Sequence, residues 1–118
     1  MFKNRDISDY IDDILTAISD IEAFTKNMSY RTFSKDKKTI NAVIRSLEVL
    51  GEATKRIPKP VRQKYPEIPW NKMAGMRDVL IHDYMGVDLK TVWKVTQERL
   101  RELKPLLEDF RTMIRKSG

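Results

Sequence analysis

The sequence predicts an all-α protein, an up-and-down bundle of about four or five helices. Two observations support this expectation: apolar residues recur at steps of three and four in several segments, and no segment shows the two-residue alternation of a strand. Proline-containing stretches separate the periodic segments, as is typical of helices joined by short connections. We expect a single domain over residues 1–118, since a chain of this length forms one modest core.

The first half of the chain predicts two long helices. The first should run from about Ile7 to Lys26, with Asp6 as its N-cap. A second should begin at the N-cap Ser34 and reach about Ile57, where Pro58-Lys-Pro60 ends it. The stripe of the first helix comprises Ile7, Ile11, Ile14, Ile18 and Ile21.

The second half predicts one short helical turn and two further helices. The turn covers Pro60–Tyr65, with proline at its first position. A third main helix begins at Trp70 and fades near Tyr84, and Asp88 is the N-cap of the last helix. Pro105 should bend that helix about one turn upstream. Its apolar positions alternate four and three without a break: Leu89, Trp93, Thr96, Leu100, Leu103, Leu107, Phe110 and Ile114.

Charge is unevenly distributed along a chain whose net charge is +6. Residues 1–29 hold three basic and six acidic side chains, a balance of −3, whereas residues 30–78 hold twelve basic and five acidic ones, a balance of +7. A basic surface suits a nucleic acid, because phosphate contacts dominate its affinity for proteins. The alternative that this charge has no specific function stays open, since many helical proteins are basic without binding a nucleic acid.

Composition also excludes several classes of site and location. Cysteine is absent, which rules out disulfides and thiolate metal sites. No apolar run approaches the roughly 20 residues of a membrane span, and the acidic start is unlike a signal peptide. We therefore expect a cytoplasmic protein without a membrane partner.

The stretch Arg77-Asp-Val-Leu-Ile-His82-Asp-Tyr84 carries the candidate chemistry, and His82 is the only histidine. A histidine can take the proton of a ribose 2′-hydroxyl, while an arginine stabilises the charge that builds on the phosphate. On a regular helix, positions 77 and 82 are about 140° apart, whereas Asp78 and His82 share a face. Either the helix unwinds near His82, or a second subunit supplies the missing side chain. Asp78 would orient the imidazole and favour its protonated form.

This motif and the Gly86-Val-Asp88 that follows it resemble the HepT group of the HEPN superfamily; the likeness covers nearly the whole chain, but only this stretch is specific. The resemblance implies a helical toxin ribonuclease paired with a minimal nucleotidyltransferase antitoxin of the MntA type. It implies a homodimer with a composite cleft, in which Arg77 and His82 cleave RNA without metal or cofactor and leave a 2′,3′-cyclic phosphate. It also implies that Tyr84 accepts AMP units, which would silence the enzyme.

Several alternatives remain beside that hypothesis. Tyr84 could simply pack its ring at a helix end. Trp70 is a candidate for an interface or RNA contact, whereas Trp93 lies on the apolar seam and suits the core. Asp9 and Asp12-Asp13 could form a carboxylate metal site, but an acidic helix face exposed to solvent is the favoured interpretation. The rival function is a non-catalytic dimeric nucleotide-binding or accessory subunit of a nucleotidyltransferase. A DNA-binding regulator is disfavoured, because no convincing helix-turn-helix is present.

Overall fold

The structure is a computed structural model that describes the backbone of residues 4–82 and 88–117, and the side chains of residues 6–76 and 88–116. Isoleucines at helical spacing give α1, Asn4–Thr25, its buried face: Ile11, Ile14, Ile18 and Ile21 are fully buried. α1 ends before Asn27, whose φ of 63° is a left-handed conformation that asparagine tolerates at helix ends. The first predicted helix is confirmed, except that Asp6 lies inside its first turn.

The second long predicted helix is confirmed over Lys37–Lys55. The prediction that Ser34 is its N-cap is wrong, because a separate short helix extends to Lys35. α2, Tyr30–Lys35, is capped by Ser29, and α3, Lys37–Lys55, is capped by Asp36. Each cap side chain accepts a hydrogen bond from a backbone N–H three residues on, which satisfies a donor that the helix leaves free. Ser34 lies within α2 and donates to the carbonyl of Arg31 instead. Two good caps seven positions apart therefore divide the segment.

Two helices follow in the middle of the chain. α4, Lys59–Gln63, is a short helix with Pro58 as its N-cap, so Pro60 occupies the second helical position rather than the first. α5, Trp70–His82, begins at the residue that the sequence predicts. Its predicted end near Tyr84 lies outside the described residues.

The last helix begins as predicted and is then interrupted. Asp88 caps α6, Leu89–Lys94, through bonds to the N–H groups of Lys90 and Thr91. A π-helical turn, Val95–Arg99, follows, and α7 runs over Leu100–Ser117. The prediction of an unbroken heptad is therefore wrong.

The interruption changes both the backbone hydrogen bonds of the helix and the positions of its buried residues. Leu100 donates its N–H to the carbonyl of Val95, five positions back, which inserts one residue into the turn. Val92 and Thr96 are consequently buried with Leu100 at two steps of four, while Trp93 is only half-buried. α7 continues through Pro105, and the change in helix type lies farther upstream than the predicted single turn.

The helices pack as the all-α bundle that the sequence predicts, with no strand among the described residues. α1 packs against α3 and α7, and α3 packs against α5. Tyr65 and Trp70 meet Phe110 edge-on at centroid distances of 4.6 and 5.2 Å, and we call this part of the bundle the aromatic end. Among the described helices, none is both long and apolar enough to cross a membrane.

Candidate nucleic-acid interface

Hydrogen bonds between α1 and α7 establish that these two helices run antiparallel. At the aromatic end, Arg111 and Arg115 each contact the carboxylate of Asp12, at 3.4 and 3.1 Å. At the other end, Gln97 donates its amide N–H to the hydroxyl of Thr25 at 3.3 Å. The carboxyl end of α1 therefore lies beside the π-helical turn, near the start of α6.

α5 brings the candidate motif to that same end of the bundle. Its first residue, Trp70, packs on Phe110 at the aromatic end. Its second turn shares a groove of about 280 Å³ with the π-helical turn, with Met76 on one wall and Val95 on the other. The carboxyl end of α5 therefore points toward Thr25, α2 and the start of α6. We call this region, where α1 and α5 end and α6 begins, the motif end.

The backbone of α5 narrows the ways in which the motif could act. Positions 77, 78 and 82 all lie within the helix Trp70–His82, while the side chains of Arg77, Asp78 and His82, and Tyr84 as a whole, lie outside the described residues. Because α5 is helical at both positions, residues 77 and 82 are separated by about 140° around the axis and about 7.5 Å along it. The unwinding before His82 that would bring them together is not found in this helix.

Exposed cations cover the motif end. α2 and α6 pack together through the rings of Phe33 and Trp93, 5.1 Å apart, so their outer faces form one continuous surface. Among the described residues, the cations at this end form no ion pair of 4 Å or less. They are Lys26, Arg31, Lys35, Lys37, Lys38, Lys90 and Lys94, and all of them are exposed.

The acidic residues of this surface, Asp36 and Asp88, accept hydrogen bonds from backbone N–H groups and form no ion pair with a lysine among the described residues. A backbone hydrogen bond from Thr39 is the main reason why the pKa of Asp36 lies below its usual value. A hydroxyl hydrogen bond from Thr91, 2.8 Å long, likewise lowers the pKa of Asp88. Both carboxylates therefore remain charged as helix caps. Sequence reasoning found the basic segment but missed its continuation in Lys90 and Lys94, whose spacing of four on one helix was the available signal.

Trp70 belongs to the core and not to this surface. Its ring is only 6% exposed, and its indole N–H donates to the carbonyls of Arg62 and Tyr65 at 3.1 and 3.0 Å. The sequence-based prediction of an RNA contact is corrected accordingly, because a buried ring with a satisfied donor has no free face for a base. Trp93 is half-buried against Phe33, close to the core role expected for it.

The acidic residues of α1 have structural partners at the aromatic end. Asp12 bridges Arg111 and Arg115 on the surface between α1 and α7, and it is not grouped with Asp9 and Asp13 around a common point. Surface pairs of this kind contribute about 1 kcal/mol or less each. Asp12 therefore contributes to the packing of α1 on α7.

A helical bundle with a cluster of exposed cations at its motif end is a class of protein suited to nucleic acid. Comparison with known proteins gives the family: a model described as Ribonuclease HepT-like matches residues 14–110, and this chain belongs to that HepT-like family. The matched region contains the whole Arg77–Tyr84 motif and nearly all of the helices that build the motif end.

Named relatives agree with this assignment. Two proteins of Methanocaldococcus jannaschii, provisionally named as RNases, are each 51% identical over 104 residues, 88% of this chain and 86% and 90% of their own lengths. A protein of Thermococcus cleftensis, provisionally named ribonuclease HepT, is 49% identical over 107 residues, 91% of this chain and 97% of its own. No solved structure matches the chain significantly.

Proposed function

We propose that this protein is the toxin ribonuclease of a toxin–antitoxin pair and cleaves RNA internally without a metal ion. The observation that supports the proposal most directly is that the Arg77–Tyr84 motif, which lies within the region matched by the HepT-like family model, occurs at the basic motif end. An RNA strand lying on Lys35, Lys37 and Lys38 would be held by its phosphates next to the carboxyl end of α5.

The proposed chemistry needs one proton acceptor and one cation. His82 takes the proton of a ribose 2′-hydroxyl, and the freed oxygen attacks the adjacent phosphorus. The bond from phosphorus to the 5′-oxygen then breaks, and that oxygen takes a proton from water as it leaves, while protonated His82 returns its proton to the solvent. Arg77 donates two hydrogen bonds to the phosphate and so stabilises the negative charge that develops on the phosphate oxygens. Asp78 orients His82, and the products are a 2′,3′-cyclic phosphate and a free 5′-hydroxyl.

Helix geometry is the reason why we propose a homodimer. Arg77 and His82 lie about 140° apart on one helix, so a single copy does not present both to one phosphate. A two-fold symmetric pair of α5 helices would place Arg77 of one copy beside His82 of the other, forming two equal sites. Light scattering at micromolar concentration should give the dimer mass, and a monomer there would contradict the composite site.

Mixing two inactive variants tests the composite site directly. Arg77→Ala and His82→Ala homodimers should each lack activity, since every site has lost one group. After the two are mixed and allowed to exchange, statistical pairing gives heterodimers with one intact site, so about a quarter of wild-type activity should return. If each site used both residues of a single copy, mixing would restore nothing.

Cleavage of end-labelled RNA tests the chemistry itself. His82→Ala and Arg77→Ala should lose cleavage while retaining wild-type circular dichroism, because both changes lie in an intact helix. Arg45→Ala is the matched control, since the side chain of Arg45 is 76% exposed and pairs with Glu48 at 3.6 Å. EDTA should leave activity unchanged, and the product should carry a cyclic phosphate. Cleavage retained by His82→Ala would support the rival, a non-catalytic accessory subunit.

We also propose that a nucleotidyltransferase antitoxin silences this protein by attaching AMP to Tyr84. The support is the position of Tyr84 two residues after His82, where a bulky anion would crowd the phosphate site and repel RNA. Tyr84→Phe should cleave RNA yet escape silencing, whereas Tyr30→Phe, a half-buried tyrosine at the same end, should remain sensitive. Intact-mass and peptide analysis after incubation with ATP, magnesium and the transferase decides this; an adduct on another residue would refute it.

A further inference from the structure

A polar cavity at the motif end is separate from the basic face of α2 and α6. It has a volume of about 490 Å³ and lies between the end of α1 and the π-helical turn. Thr25 and Gln97 line it from opposite sides, and Lys26 and Arg101 are exposed at its edge. π-helical turns are rare and occur frequently at functional sites. The cavity therefore combines polar walls, free cations and an irregular helix.

Hydrogen bonds fix the orientation of the Gln97 amide. Thr25 donates its hydroxyl proton to the carbonyl of Ile21 at 2.9 Å, and Thr96 donates its own to the carbonyl of Trp93 at 2.7 Å. Each threonine oxygen can then only accept from Gln97, which lies 3.3 Å from one and 3.2 Å from the other. The atom facing both must be the NH₂ nitrogen, since an amide oxygen has no proton to donate.

The amide oxygen of Gln97 is consequently available to a ligand. It faces away from the two threonines, and no hydrogen bond to it is found among the described residues. Buried threonines hold the side chain in place: Thr25 is 5% and Thr96 is 6% exposed. A rigid acceptor of this kind selects for a donor group on its ligand, because an unmatched partner would leave it unsatisfied.

Charge around the cavity adds a second requirement on the ligand. Lys26 and Arg101 form no ion pair within the described part of the chain. The nearby acid, Glu22, bonds Lys104 at 2.8 Å, and this hydrogen bond raises the pKa of Lys104. The net charge at the edge is therefore positive and favours a phosphate.

We propose that this cavity is a subsite for one nucleotide of the RNA substrate, with preference for a base that carries an exocyclic amino group. The amino group of cytosine, adenine or guanine would donate to the Gln97 oxygen, while Lys26 and Arg101 hold the neighbouring phosphate. The cavity and α5 lie on different sides of the helix that contains the π turn. The link to RNA rests on the proposed ribonuclease function.

Cytidine and uridine monophosphate are matched probes, because they differ at the one position where cytosine donates and uracil accepts. The chain has two glutamines, Gln97 and Gln63, and Gln63 lies in α4. In proton–nitrogen spectra, the side-chain amide of Gln97 should shift on addition of CMP and that of Gln63 should not. CMP should bind the wild-type protein about five-fold more tightly than UMP, the contribution of one hydrogen bond.

Two pairs of variants separate the base contact from the phosphate contact. Gln97→Met should remove the preference for CMP and leave UMP affinity unchanged, whereas Gln63→Met should change neither. Lys26→Ala should weaken both nucleotides, and Lys64→Ala, near the aromatic end, should weaken neither. Equal affinity of the wild-type protein for CMP and UMP would overturn the proposal, as would a CMP preference retained by Gln97→Met. The first comparison needs no variant, so it holds even if Gln97→Met fails to fold.

Failure of the ribonuclease function would be distinguishable from failure of this subsite. If wild-type protein cleaves no RNA but the CMP preference depends on Gln97, the cavity binds nucleotides and only its link to cleavage is lost. If His82→Ala abolishes cleavage while CMP leaves the Gln97 amide unmoved, the nuclease stands and the subsite is wrong. With both correct, Gln97→Met should reduce the difference in cleavage between RNAs that carry cytidine and uridine a few residues from the cut.

Discussion

The two ends of the bundle use charged side chains in different ways. At the aromatic end, Arg111 and Arg115 of α7 meet Asp12 of α1, so these charges join helices. At the motif end, exposed lysines of α2, α3 and α6 have no ion-pair partner among the described residues. The acids there, Asp36 and Asp88, instead cap helices. Cations that already have partners hold the fold, whereas cations without partners can bind phosphate.

Removing the aromatic cluster should break the fold without touching the proposed RNA surface. Phe110 is 1% exposed and packs against Tyr65 and Trp70, so Phe110→Ala should lower the free energy of unfolding by about 3–5 kcal/mol. Met113→Ala, at a residue 51% exposed, should change it by less than about 0.5 kcal/mol. Denaturant unfolding measures both. RNA affinity of folded Phe110→Ala, measured at low temperature, should match the wild type; a large loss would mean that the ends are coupled.

Reversing the charge of lysines at the motif end should weaken RNA binding and leave the fold intact, the opposite of the result expected for Phe110→Ala. The triple variant Lys35→Glu, Lys37→Glu and Lys38→Glu should weaken binding of single-stranded RNA by about 100-fold at low salt. The slope of log affinity against log salt should become shallower by about two, because three phosphates of the RNA would no longer be neutralised. A control triple variant with the same charge change, at Lys59, Lys64 and Lys116, keeps these lysines. Equal losses in the two triple variants would indicate a general charge effect and no defined RNA surface.

Low pH should destabilise the motif end by protonating the helix-capping carboxylates of Asp36 and Asp88. This is the smallest effect among the three predictions. Hydrogen bonds lower the pKa of Asp36 and Asp88 below 3.8, their ordinary value. A carboxyl whose pKa is lower in the folded than in the unfolded state stabilises the fold at pH values above its unfolded-state pKa. This stabilisation is lost as the pH falls through the folded-state pKa, here below about pH 3.8. Asp88→Asn should therefore unfold with less dependence on pH in that window. Thermal melts of Asp88→Asn and of the wild-type protein from pH 2.5 to 7 measure this difference.

Local signals explain which parts of the fold were predictable. The isoleucine stripe of α1, the start of α5 at Trp70 and the cap at Asp88 each depend on neighbours within a few positions, and all three are confirmed. The boundary between α2 and α3 was missed because Ser34 and Asp36 are both good caps, and the choice depends on which backbone donors remain free.

Nonlocal contacts explain what the sequence could not predict. The π-helical turn places Gln97 against Thr25, 72 positions away, and no local pattern contains that pairing. The candidate chemistry of Arg77 and His82 is readable from residue types and spacing. In the proposed composite site, their approach to one phosphate requires a second copy of the chain, and a single sequence specifies no such geometry.

The contacts between α1 and α7 also bear on the order in which the chain folds. With the contact from the π-helical turn included, they join residues separated by 72, 82 and 107 positions, so they form only after the last helical segments have been synthesised. During synthesis, at about 5–20 residues per second, α5 emerges before α7, while part of the α1 isoleucine face still lacks its cover. Chains released before α7 would expose that face to proteases. An interrupted message would therefore yield the motif residues without the cover that α7 provides for the buried face of α1.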